Sequence, residues 1–240
     1  MRTRNEEGHT SAVEARAGAG ARPVARERLS LIGALAAGGA ALAVGALART
    51  ANAGGSDDVG TLNGLLEAEY GAIAAYQAGA GILMSPPAGD PFASAAPIVL
   101  AVALHFQSQH KDHAKLLAAT IQSLGGKPAD PGSATFTAPP GFTPSVLNVI
   151  RLAANAEKAA AVSYNEGVKV LSAGENAQIL AAIGGNETQH YVLLSLVAQG
   201  IAGPTATTMA DVSDFVPESF VTSVGKGTTG FEAVPDFTYS

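Results

Sequence analysis

Two stretches of this chain repeat one another's spacing, and the repeat restricts the fold more than any other feature. Glu69 and Tyr76 lie seven residues apart, as do Glu157 and Tyr164. Each pair is followed by a second helix-like segment, HKDHAKLL and then ETQHYVLL, which aligns His110-x-x-His113 with Glu187-x-x-His190. Apart from His9, every histidine of the chain falls in or beside these second segments. A glutamate-bearing helix followed by a histidine-bearing helix, present twice, is how a four-helix bundle assembles a two-metal site in its core.

Residues 1–53 stand apart from this repeat. Residues 1–28 are polar and carry six arginines, residues 29–48 hold no charge, and Ala51-Asn52-Ala53 is a small-x-small cleavage sequence. The pattern predicts an export signal with a long basic leader, placing the remainder in the periplasm or cell envelope. The alternative is a retained anchor through residues 29–48, since twenty apolar residues reach across a bilayer, although the glycines among them weaken it. A twin-arginine signal is suggested, but Glu27 splits Arg26 from Arg28.

From Gly54 onward the chain holds seven basic and sixteen acidic residues, a formal charge of −9 with histidine neutral. No basic patch offers a footprint for nucleic acid. The chain has no cysteine, which excludes disulfides, thiolate metal sites and cysteine nucleophiles. Neither a glycine-rich phosphate loop nor a G-x-S-x-G elbow is present.

Four helical runs are predicted in residues 54–200, followed by an irregular tail over 201–240. In the first, Leu62, Leu66, Glu69, Ile73, Tyr76, Ala80 and Leu83 follow one face, and Pro86 and Pro87 end the run. The second spans about 98–124 with Phe106, His110, His113, Leu117, Ile121 and Leu124 inward, stopped by Gly125 and Gly126. Residues 127–142 show no helical periodicity. Thr143 before Pro144 predicts the cap of the third helix, whose inward line is Val146, Ile150, Ala153, Glu157, Tyr164, Val168 and Leu171. Leu180, Ile183, Glu187, His190, Leu194 and Val197 trace the fourth, with Gly184 and Gly185 a soft spot before the ligand pair. The longest join lies between the second and third helices, so the expected fold is all-α: a ferritin-like four-helix bundle with one long crossover. In the tail, Phe215, Phe220, Phe231 and Phe237 are expected to anchor against the bundle or against a partner subunit.

Cost argues for a metal. Glu69, Glu157 and Glu187 each occupy an apolar helix face, where an unpaired carboxylate stays protonated or destabilises the fold by several kcal/mol. Divalent cations remove that penalty. Residues three apart lie about 60° apart around a helix axis, so Glu187 and His190 both point inward. The repeat then sets His113 opposite His190. The alternative reading of each residue is a buried, hydrogen-bonded polar group. Tyr76 and Tyr164 are expected to bond the ligand carboxylates. Glu67 and Glu166 fall off the stripe toward solvent, and His105 and Gln109 are expected at the surface.

These residues resemble the ferritin-like superfamily over about 60–200, and in particular the exported bacterial ferritin-like domain proteins, Tat-associated or desiccation-related. Glu187-x-x-His190, Glu69 and Glu157 match its pattern, whereas His110 stands where the family has glutamate. The resemblance implies a ligand set of Glu69, His110, His113, Glu157, Glu187 and His190 holding two divalent transition metals, iron or manganese, with zinc a third option. It further implies reaction with dioxygen or peroxide and leaves self-association open. Three glutamates and three histidines leave two divalent ions at about +1, which weakens the inference to ferroxidase or catalase chemistry. The alternative is a structural, stress- or desiccation-related bundle with a degenerate or metal-free site.

Overall fold

The computed structural model describes residues 55–202 and 236–239, which carry four long helices and no strand. Helix α1 runs over Gly55–Met84, α2 over Ala96–Ser123, α3 over Val146–Val170 and α4 over Gly174–Ala202. Short 3-10 turns at Ala93–Ala95 and Pro131–Ser133 lie in the first two connections. The expected export segment, residues 1–53, and the tail residues Phe215, Phe220 and Phe231 lie outside the described residues. No described helix is long and apolar enough to cross a membrane.

Two apolar clusters fix the direction of each helix. One gathers Leu62, Leu65 and Leu66 with Leu117, Ile121, Tyr164, Leu180 and Ile183. The other gathers Tyr76 and Leu83 with Val99, Phe106, Ile150, Tyr191 and Leu194. Helix α1 therefore runs from the first cluster to the second, α2 and α3 run back, and α4 returns. That up-down-down-up order requires the connection over 124–145 to travel the length of the bundle, as its length predicts. α1 packs along α2, and α3 along α4, while α1 also meets α3 across the bundle.

Local chemistry sets the ends. Gly125, at φ 75°, and Gly126 close α2 by donating to Gln122 and Ile121 carbonyls, a Schellman stop. Leu124 caps that end at 41% exposure and so is not part of the inward stripe. The cap of α3 is Ser145 and not Thr143: extended Ser145 accepts from the Asn148 amide. Thr143 lies before the proline and accepts instead from the Asn148 side chain. Asn63 clamps the start of the crossover through Lys127 and Ala129. At the opposite end Asp90 accepts from the Val146 amide, whereas at the same end as Asn63 the Asp58 carboxylate ties α1 to Ser172 in the α3–α4 turn. Helix α4 passes without a break through Gly184 and Gly185. A Cβ at Gly184 would stand 3.0 Å from Tyr164 Cβ, so this glycine permits close approach of α3 and α4 where a soft spot was expected. From the tail, Phe237 packs against the second apolar cluster, and its backbone N–H and C=O both bond the Asn155 side chain.

Candidate metal centre

Between the two apolar clusters lies a polar layer made by all four helices. Glu69, His110, Glu157, Glu187 and His190 are buried, none more than 2% exposed, and His113 closes one edge with its side chain 12% exposed. The expected inward positions are thus the ones brought together. They form two overlapping carboxylate–histidine groups, Glu69–His110–His113–Glu187 and His110–Glu157–Glu187–His190, with ligand atoms in each within 4.8 Å of one another. Such pairing of groups is of ferritin-like dimetal type.

His110 stands in the middle. Its Nδ1 is 2.7 Å from Glu69 Oε2 and 3.7 Å from Glu187 Oε1, while its Nε2 is 3.1 Å from Glu157 Oε1. His113 Nδ1 lies 2.9 Å from Glu187 Oε1 and 3.5 Å from Glu69 Oε1. His190 Nδ1 lies 3.3 Å from both Glu157 Oε2 and Glu187 Oε2. The tyrosines cross between halves: Tyr76 of α1 donates to Glu157 of α3, and Tyr164 of α3 donates to Glu69 of α1. Each phenol thus bonds a glutamate carried by the facing hairpin.

Gln109 differs from expectation. Its Oε1 is 2.9 Å from His190 Nε2, taking that N–H and leaving Nδ1 turned toward the carboxylates. Phe106 stacks on the face of the same ring, with centroids 3.9 Å apart. Helical periodicity could not show this, because Gln109 is one residue off the stripe. The repeat held a signal, since it aligns Gln109 with the amide residue Asn186. His105 and Glu67 are exposed, as expected, and the half-buried Glu166 pairs with Lys169.

Electrostatics follow from burial and crowding. Burial raises the Glu157 carboxyl, but the charge of His110 and the hydrogen bonds of His110 and His190 hold it well below the ordinary value. Glu69 is held down more mildly, burial being overcome by His110 and His113. Glu187 goes the other way, pushed up to about 7 by burial and by the charge of Glu157. Burial opposes protonation of the histidines, yet the carboxylates prevail: His110 is well above 6.5, His113 rises to about 9, and His190 rises too. Burial and the adjoining carboxylates keep Tyr76 and Tyr164 as O–H donors.

The donor set fits divalent ions. Glu187 Oε1, Glu187 Oε2 and His113 Nδ1 are buried without a hydrogen bond; the 2.9 Å approach of His113 is close but misaligned. Buried polar atoms otherwise find partners, and orphaned carboxylate oxygens facing imidazole nitrogens are what a cation satisfies. A cavity of about 60 Å³, bordered by Ala75, Gly79, Ala103, Val149 and Ala153, reaches this layer at Tyr76, His110 and Glu157.

No curated protein and no solved structure gives a significant match to the chain. Residues 57–200, a span that contains all six clustered residues, match the family described as the ferritin-like domain. The chain belongs to the ferritin-like domain family.

Proposed function

We propose that this protein holds two divalent transition ions, iron or manganese, in the polar layer of its bundle and directs them at dioxygen or peroxide. The observation that carries the reading is Glu187, whose two fully buried oxygens lack hydrogen bonds and face histidines of different groups. Glu69 and His113 would serve one ion, Glu157 and His190 the other, with His110 and Glu187 common to both. The ions, when bound, supply Lewis acidity and electrons for reduction of an oxygen substrate. The chain's own contribution is positional. Tyr76 and Tyr164 hold Glu157 and Glu69 in orientation, and Gln109 fixes the ring of His190. The apolar cavity suits approach of a small uncharged molecule, being larger than the ~10–15 Å³ one water requires.

Residues 1–53 support an exported, envelope location, and a mature chain starting near Gly54 is expected on N-terminal sequencing. A full-length chain resisting alkali extraction would establish the anchored form instead.

The test of the central reading is metal content per chain after expression in metal-replete medium, with ferrous oxidation followed in parallel. Two ions are expected in the wild type and a loss of at least one in Glu187→Ala. A second reading, a structural envelope bundle, is favoured by one observation: three glutamates face three histidines, so the layer can balance its charge internally. Wild-type protein that takes up no iron, manganese or zinc would decide for it.

A further inference from the structure

We infer that His110 bridges the two ions through both ring nitrogens, as an imidazolate, so that this site is built around a nitrogen bridge. This rests on the dimetal reading above and concerns how the ions are linked. The geometry is the first argument. His110 and Glu187 belong to both ligand groups. Glu187 turns Oε1 to His113 and Oε2 to His190. His110 likewise turns Nδ1 to Glu69, 2.7 Å away, and Nε2 to Glu157, 3.1 Å away. Neither nitrogen is spent on a backbone carbonyl or a side chain outside the layer, the usual anchor of a histidine that binds one ion. His190 shows the contrast, with Nε2 committed to Gln109.

Charge is the second argument. Two divalent ions with three carboxylates and neutral imidazoles leave the buried layer at +1, and an uncompensated buried charge is costly. A bridging imidazolate removes that charge and makes the site neutral. In the step, the His110 ring gives up its N–H protons to solvent and forms one metal–nitrogen bond at each end. No electron is transferred. Each ion then has four protein donors: its own glutamate and histidine, one oxygen of Glu187 and one nitrogen of His110.

The two linkages differ in length. A nitrogen bridge sets the ions about 6 Å apart, from metal–nitrogen bonds of ~2.0–2.1 Å on either side of the ring. Carboxylate-linked pairs stand at about 3.5–4 Å. Metal-stripped full-length protein loaded with zinc(II) would be measured by anomalous diffraction and X-ray absorption. Two zinc ions about 6 Å apart, flanking His110, are the expected result. In His110→Gln the content should fall from two ions to one, and in His110→Glu two ions should remain with the separation shortened to about 3.5–4 Å. Two ions at 3.5–4 Å in the wild type would overturn the nitrogen bridge and leave the dimetal reading standing. One ion, or none, would overturn both. Retention of two ions at unchanged separation in His110→Gln would show that the ring is not the link.

Discussion

Tyr164 buries its hydroxyl against Glu69, and Tyr76 does the same to Glu157, so each phenol donates to a carboxylate that a cation would need in one orientation. Removing the hydroxyl alone, in Tyr164→Phe, leaves packing intact and strips one donor from a buried acceptor. A loss of about 1–3 kcal/mol in the metal-free protein is expected, with metal affinity weaker by ~10–100-fold. Denaturant melts and metal titration check the two effects separately. The histidines predict a pH response. His113 is raised from 6.5 to about 9, so its contribution is full below pH 6.5 and disappears as pH rises through about 9. Glu187 is raised from 4.5 to about 7; its protonated form favours the fold below 4.5, and that contribution is lost through about 7. Glu69 and Glu157 are depressed, so their contributions fade as pH falls below 4.5. Chelated protein should therefore melt at a higher temperature at pH 5.5 than at pH 8.5. Metal should reverse that order, because ions compete with protons for the same nitrogens and oxygens. An unchanged melting temperature across this range would mean that these groups do not titrate with folding.

At the level of the helix, the two glycines before Glu187 separate two effects that periodicity merges. Gly184 faces Tyr164 at contact distance, whereas a Cβ at Gly185 meets nothing within 4 Å. Gly184→Ala should push α4 from α3 at the turn that aims Glu187, costing about 1–3 kcal/mol and weakening metal binding. Gly185→Ala should stabilise the helix by up to about 1 kcal/mol and leave binding unchanged. Thermal unfolding of the two variants beside zinc titration distinguishes them. The contrast also shows what the sequence held. The inward line of Glu69, Glu157, Glu187 and His190 was readable because steps of three and four place side chains on one face irrespective of neighbours. Whether a glycine marks weakness or proximity depends on what stands across from it, and no single helix carries that information. The cap of α3 lies two residues beyond the expected Thr143 for a local reason. Ser and Thr both accept hydrogen bonds, and here Ser145 takes the Asn148 backbone N–H while Thr143 takes its side chain. Gln109 escaped notice because its role depends on the neighbouring α4.

Across the whole bundle, the charged layer lies between two apolar clusters made mostly of aliphatic side chains. Chelation should consequently leave the helices formed while lowering the melting temperature by several degrees, and restoration of metal should raise it again. Circular dichroism of the stripped and reloaded protein reads both. The aliphatic content of each cluster was legible from the sequence. Their separation by a single polar layer was not, since it depends on how far each helix slides along its neighbour.

The exchange of tyrosines has a consequence for assembly. The α1–α2 hairpin holds Glu69 but not the phenol that serves it, and the α3–α4 hairpin stands in the same relation to Glu157. Each half is thus the natural binding partner of the other, and residues 124–145 act as a tether converting a bimolecular encounter into an intramolecular one. Tethers of this kind supply effective concentrations near the millimolar range. Cleavage beside the exposed Pro131 and Gly132 should leave two fragments that elute together, and dilution with chelator should release them sooner than dilution with zinc. Metal would then serve as the adhesive between two half-proteins, and the crossover as the leash that keeps them within reach.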